Sequence, residues 1–223
     1  SSLALWQVLK NRGNNDVKVV TPSRYPDFLV WLSGGDNVIV GNKDFNFAKD
    51  TIESSDLLVL VDFSTIDRTG CLESLIKNSN AIKIHIDHHL YTDSFADYII
   101  TDTSYSSTSE MIWELLSEWN YHKYINKEVA EAIYVGLMTD TGSFSYSNTN
   151  ERSHKIAAEL FNCGIDVQQI YSKVYCTYSY DRMKLLGYVL NEKMKLLKEY
   201  KVCYITLSLA ELNRFNYKTG DTE

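Results

Sequence analysis

Asp87, His88 and His89 stand side by side after the apolar run AIKIHI, and Asp62 closes a second apolar run, LLVLV, a short way upstream. Carboxylate and imidazole together form a ligand set suited to Mn, Zn, Fe or Co rather than to an ion such as Ca, which prefers oxygen throughout. A lone histidine is more often a packed or hydrogen-bonded turn residue. Two histidines clustered with two aspartates point instead to a metal centre. A third aspartate, Asp140, lies in GLMTDTGSFSYS at the end of a mostly apolar stretch, where a helix-ending turn explains its type as readily as metal binding does. The Gly142-Ser143 turn behind it, with Ser145, offers backbone and hydroxyl donors of the kind that hold phosphate.

These residues need elements to position them. Short β-rich runs, Val17-Thr21, Asn37-Val40, Leu57-Val61 and Ala81-Ile86, alternate with helical stretches near Pro26-Leu32, Asn46-Ser54 and Asp67-Asn78. Such alternation predicts an α/β fold with a mainly parallel sheet flanked by helices. LLVLV and AIKIHI are nearly unbroken apolar runs, as expected of strands covered on both faces. Ligands of open α/β sheets bind beyond the carboxyl ends of the strands, which is where Asp62 and Asp87-His88-His89 would fall. Ser107-Thr108-Ser109-Glu110 reads as a capping box before an apolar stripe of Met111, Ile112, Leu115, Leu116 and Trp119. Further helices are predicted over Lys127-Met138, Glu151-Asn162 and Val167-Leu190. The last is long and leads to a strand at Lys201-Leu207, so it reads as a connector between a first domain at 1–165, a linker at 166–192 and the start of a smaller α/β domain at 193–223.

Composition narrows the class. The 223 residues are 44% hydrophobic with a net charge of −7 and no block of Lys or Arg, which argues against a binder of long duplex DNA. No apolar run reaches the roughly 20 residues that span a bilayer, so no membrane partner is expected. Cys71, Cys163, Cys176 and Cys203 are scattered without a CxxC pair, the usage of a reduced, cytoplasmic protein. His85 reads as a packed histidine, and His122 and His154 as solvated ones. Tyr146 and Phe144, close behind Asp140, are the candidates for nucleobase contact, with plain packing the more ordinary reading of both.

The ordered set LLVLVDFSTIDR, IDHHL, STSE and GLMTDTGSFSYS resembles the DHH phosphoesterases, in that order and at similar spacing. LLGYVLNEKMK and LNRFNYKTGDTE resemble the linker and first part of the family's DHHA1 domain. YPDFLVWL and RFNYKTGDTE are most similar to the branch of oligoribonucleases and 3′-phosphoadenosine-5′-phosphate phosphatases. The resemblance implies that Asp62 bridges two Mn²⁺ ions (Mg²⁺ or Co²⁺ as substitutes), that His88 and Asp140 bind one of them, and that His89 contacts the scissile phosphate. Asp87 would then orient the site rather than bind metal, while Arg68 would be a phosphate neighbour or, more in keeping with its type, a solvated helix charge. Substrates implied are short RNA or a 3′,5′-bisphosphorylated adenosine, and a homodimer is compatible with the family. A polyphosphatase or pyrophosphatase of the same superfamily is the nearest alternative, and a non-catalytic nucleotide-binding module the alternative of another class. The family's first motif, a His followed by Asp-x-Asp, belongs before a helix resembling SSLALWQVLK, and its Gly- and His-containing substrate motif belongs after GDTE. Both are expected in flanking segments, and the chain by itself is expected to bind metal weakly.

Overall fold

The structure is a computed structural model that describes residues 1–90 and 93–218; the last residues of the RFNYKTGDTE string, 219–223, lie outside the described residues. It divides into two compact units, Ser1–Ile170 and Tyr171–Glu223. In chain order the first unit comprises α1 (Ser2–Asn11), β1 (Val20–Thr21), β2 (Ile39–Val40), α2 (Phe45–Glu53), β3 (Leu57–Val61), α3 (Glu73–Asn78), β4 (Ile82–Asp87), β5 (Tyr98–Thr101), α4 (Thr108–Glu118), α5 (Lys127–Asp140) and α6 (Glu151–Phe161), with α7 (Val167–Tyr175) crossing into the second. The second holds α8 (Tyr180–Tyr188), β6 (Lys195–Leu197), β7 (Val202–Tyr204) and α9 (Leu209–Arg214).

The α/β expectation holds. β3, β4 and β5 form a parallel sheet in that order, β1 and β2 a parallel pair, and β6 and β7 an antiparallel hairpin. The β3–β4 register sets Val61 beside Ile86, so both strands end together and bring Asp62 next to Asp87. Leu60 and Ile86 are buried, and on one side Leu60 joins Ile39, Ala48, Ile52, Ile66, Leu72 and Ile76 in a single apolar cluster. His85 is fully buried with Nε2 2.7 Å from the Phe63 carbonyl, and packs against the stacked rings of Phe63 and Phe95: a packed histidine, as its alternation on the strand suggests.

Helices cover the sheet where the apolar stripes demand it, with four departures from the sequence reading, the first being that Pro26-Leu32 holds only a short 3₁₀ segment, Asp27–Leu29. The stretch 67–78 is not one helix: a short 3₁₀ segment, Ile66–Leu72, bends at Gly70 (φ 52°) before α3 starts. Ser107 does cap α4, its hydroxyl accepting the Glu110 N–H at 3.1 Å, but the capping box is incomplete. The Glu110 carboxylate turns one residue further back, to the Ser106 N–H (2.5 Å) and hydroxyl (2.7 Å). The single connector helix expected over 167–190 is two helices. Extended Ser179 interrupts it and caps α8 through the Arg182 N–H, the usual competition of a short hydroxyl side chain with helix continuation. The reciprocal box lies instead at Ser208 and Glu211, on α9.

α4 and α5 pack tightly at Gly136. A Cβ there would fall on Ser109 Oγ and lie 2.7 Å from Ser109 Cβ, and Ser109 is fully buried. Gly136→Ala should therefore destabilise the chain by about 1–3 kcal/mol from overpacking, despite the better helix propensity of Ala. In a Ser109→Gly background the same change should be neutral or stabilising. Thermal melts of the four proteins of this double-mutant cycle measure it, and an equal penalty in both backgrounds would contradict the contact.

Candidate metal centre

The site begins with a backbone anomaly. Asp62, directly after β3, has φ +70°, a left-handed conformation that Asp and Asn tolerate better than most residues. Its N–H still bonds the Ile86 carbonyl at 3.1 Å, so the residue stays tied to β4 while its carboxylate swings beyond the sheet. Oδ1 accepts the Thr108 hydroxyl from the first turn of α4 at 3.0 Å.

Asp87, the last residue of β4, is fully buried. Its Oδ1 accepts the His89 Nδ1 proton at 2.6 Å, and its Oδ2 is buried with no hydrogen-bond partner among the described residues. His88 Nδ1 lies 3.3 Å from the Tyr105 carbonyl. A carbonyl can only accept, so that contact puts the proton on Nδ1 and leaves the Nε2 lone pair outward. Nε2 faces two carboxylates, Asp62 Oδ1 at 4.0 Å and Asp140 Oδ2 at 3.9 Å. The His88 and His89 rings sit 4.6 Å apart, tilted by 56°.

Asp140 ends α5. Burial pushes its carboxyl up to about 6, and the Asp62 charge adds to this. The negative end of the α5 dipole disfavours the anion further. A desolvated carboxylate facing another carboxylate and an imidazole lone pair is an arrangement a cation relieves. The residues fit a divalent metal ion: Asp62, His88 and His89 each present a ligand atom, all within 4.8 Å of one another, and Asp140 faces the same His88 nitrogen.

The turn after α5 departs from the sequence reading in what it can offer. Gly142, Ser143 and Phe144 all have positive φ, 53°, 56° and 64°, and each such non-glycine residue stores about 1–3 kcal/mol. The backbone N–H of Ser143 donates to the Met138 carbonyl (2.8 Å), that of Phe144 to Thr141 Oγ1 (3.0 Å), and that of Tyr146 to the Thr141 carbonyl (2.9 Å). These amides cap α5, so a phosphate would meet side chains here rather than a backbone cradle. Phe144 packs against Tyr134 and, nearly parallel, against His154, which gives His154 a stacking partner the sequence did not suggest. Tyr146 is 62% exposed, its ring so close over Gly142 that no Cβ fits beneath it.

Several supporting groups escaped the sequence reading. Asn148 Nδ2 donates to the Ser106 carbonyl (3.1 Å) and the Asp140 carbonyl (3.0 Å), joining the loop before α4 to the end of α5. Ser153 Oγ reaches Ser106 Oγ at 3.0 Å, and the Arg152 guanidinium lies 4.1 Å from the centre of the Tyr105 ring. STSE was the signal for Thr108 and Glu110; nothing local marks Asn148 or the Tyr105 carbonyl.

Residues 1–137 match the family model described as DHH family, N-terminal domain. The bifunctional oligoribonuclease and PAP phosphatase NrnA of Bacillus subtilis is 38% identical over 112 residues, which is 50% of this chain and 36% of that protein. The probable enzyme of the same name from Streptococcus mutans is 30% identical over 194 residues, 87% of this chain and 57% of that one. An exopolyphosphatase-related protein from Bacteroides fragilis superposes with a TM-score of 0.96 at 39% identity, covering 100% of this chain and 65% of its own. The chain thus spans only part of each of these relatives.

Proposed function

We propose, since this chain belongs to the DHH phosphoesterase family, that it carries the metal-binding half of a hydrolase acting on short oligoribonucleotides and 3′-phosphoadenosine-5′-phosphate. The observation that carries the reading is the convergence of Asp62, His88 and His89 within 4.8 Å, with Asp140 3.9 Å from the same His88 nitrogen. The names of the Bacillus and Streptococcus relatives support the substrate class. Residues 1–165 would be the catalytic domain, 166–192 the linker and 193–223 the start of the substrate-binding domain, in a cytoplasmic protein.

Asp62, His88 and Asp140 would hold the metal, Mn²⁺ in our reading. The bound ions supply an activated water and charge neutralisation for the entering and leaving oxygens. The chain's own residues set the geometry. The Tyr105 carbonyl holds His88 in the tautomer whose Nε2 faces the ligand cluster. Asp87 takes the Nδ1 proton of His89 and so turns His89 Nε2 towards the scissile phosphate. The Ser143 and Ser145 side chains border that phosphate, and the exposed face of Tyr146 is offered to a base.

Side-by-side turnover by the whole protein with Mn²⁺ tests this, using a short RNA, a 3′,5′-bisphosphorylated adenosine, pyrophosphate and polyphosphate. The two nucleotides should be cleaved fastest. Fastest cleavage of polyphosphate would favour the second reading, an exopolyphosphatase, for which the close superposition on the Bacteroides fragilis protein speaks. No cleavage of any of the four would leave a nucleotide-binding module.

A further inference from the structure

We infer that Thr108 is a positioning residue of the metal centre, its hydroxyl fixing the Asp62 carboxylate in the orientation that receives metal; the inference rests on the metal reading above. Thr108 is the first residue of α4 and is fully buried. Ser107 already caps the helix, so capping does not require a second hydroxyl at this position. A buried hydroxyl without a partner costs about 1–3 kcal/mol, and an apolar isostere such as valine would avoid that cost. The partner found is Asp62 Oδ1, 3.0 Å away and 46 positions distant in sequence.

Asp62 needs such a partner. Its side chain is 39% exposed, its backbone lies in the left-handed region, and among the described residues its carboxylate accepts one other hydrogen bond, a long one from the Ser1 hydroxyl at 3.4 Å. The Thr108 hydrogen occupies one lone pair of Oδ1, the oxygen 4.0 Å from His88 Nε2. That fixes the carboxylate plane and leaves the other lone pairs available to metal. The positive end of the α4 dipole at the same turn favours the anion as well. The same helical turn reaches His88 by a second route: Glu110 grips the Ser106 N–H, and the residue before it presents the Tyr105 carbonyl to His88 Nδ1. One turn of helix thereby orients a carboxylate and an imidazole from different strands.

Thr108→Val removes the hydroxyl at nearly constant shape, and Thr108→Ser keeps it. In the whole protein, Mn²⁺ binding alone, followed through the electron paramagnetic resonance signal of the free ion, should weaken ten- to hundredfold in Thr108→Val, the usual loss when an outer partner of a ligand is removed. Thr108→Ser should bind within about threefold of the parent, and the metal-free melting temperature of both should change little. Asp62→Asn serves as the control. If Asp62→Asn loses Mn²⁺ while Thr108→Val keeps parental affinity, the positioning role is overturned and the metal reading stands. If the Val and Ser variants weaken equally, the hydroxyl is not the agent and the inference also fails. If Asp62→Asn binds Mn²⁺ like the parent, the metal reading itself falls, and the role of Thr108 with it.

Discussion

Asp62→Asn should lower Mn²⁺-dependent hydrolysis by about a thousandfold or more, beyond the roughly 10–100-fold typical of a lost outer partner, and leave the fold intact. Asparagine is the informative replacement because of the backbone. At φ +70° an alanine would add about 1–2 kcal/mol of left-handed strain, and loss of activity could then be blamed on folding. Asparagine tolerates that conformation, and its carbonyl oxygen can still accept the Thr108 hydroxyl, so the main change is from anion to neutral dipole. Turnover and melting temperature measured together decide it, and undiminished hydrolysis would sink the metal assignment. A second consequence shows without metal. The Asp62 charge helps to push the Asp140 carboxyl up to about 6, so Asp140 in the variant should ionise at a lower pH, visible in a carboxyl-detected NMR titration.

His89→Gln should lower turnover by about a hundredfold or more, the scale of losing a group that donates to or protonates the reacting phosphate, with Mn²⁺ affinity changed only a few-fold. Glutamine is preferred to alanine because Asp87 is fully buried and its Oδ2 already lacks a partner among the described residues. Removing the His89 contact to Oδ1 outright would leave a buried carboxylate with no partner at all, at a cost of several kcal/mol. A glutamine amide can take over that bond. The division of labour between the histidines predicts opposite signatures: His88 variants lose metal, His89 variants lose rate. Loss of metal in His89→Gln would mean that the roles are reversed, which the joint proximity of both rings to Asp62 makes a sharp question.

The features legible in the sequence were those with local causes. Leu57–Val61 was legible to the residue because an unbroken apolar run reads as a parallel strand and a polar residue ends it where the sheet ends. Of its residues only Leu60 is buried and Leu57 stays half exposed, so the strand is not covered on both faces as expected. β5 was missed although YIIT is rich in strand-favouring residues: the run is only four residues long, and in the structure all four, Tyr98–Thr101, are exposed. The Val167–Leu190 helix was overextended because periodicity passes over Ser179, whose conformation depends on its own side chain capping the next helix. In the site, residue types and strand ends flagged Asp62, Asp87, His88 and His89, whereas the contacts that orient them join positions 17 and 46 residues apart and leave no local trace. The left-handed run at Gly142–Phe144 was equally hidden. Glycine announces one such residue; Ser143 and Phe144 are held there by the bonds of the turn and by the packing of the Phe144 ring.

The 46-residue span between Thr108 and Asp62 also has a kinetic meaning. Closing it requires β3, the crossover through α3, β4, β5 and the start of α4 to be in register together, and loop-closure entropy is paid before such distant contacts are rewarded. The cluster facing His88 is therefore expected to close late in folding, after the strands it depends on have paired. A cation then meets a finished cleft instead of organising a loose chain, and its uptake reports that folding is complete.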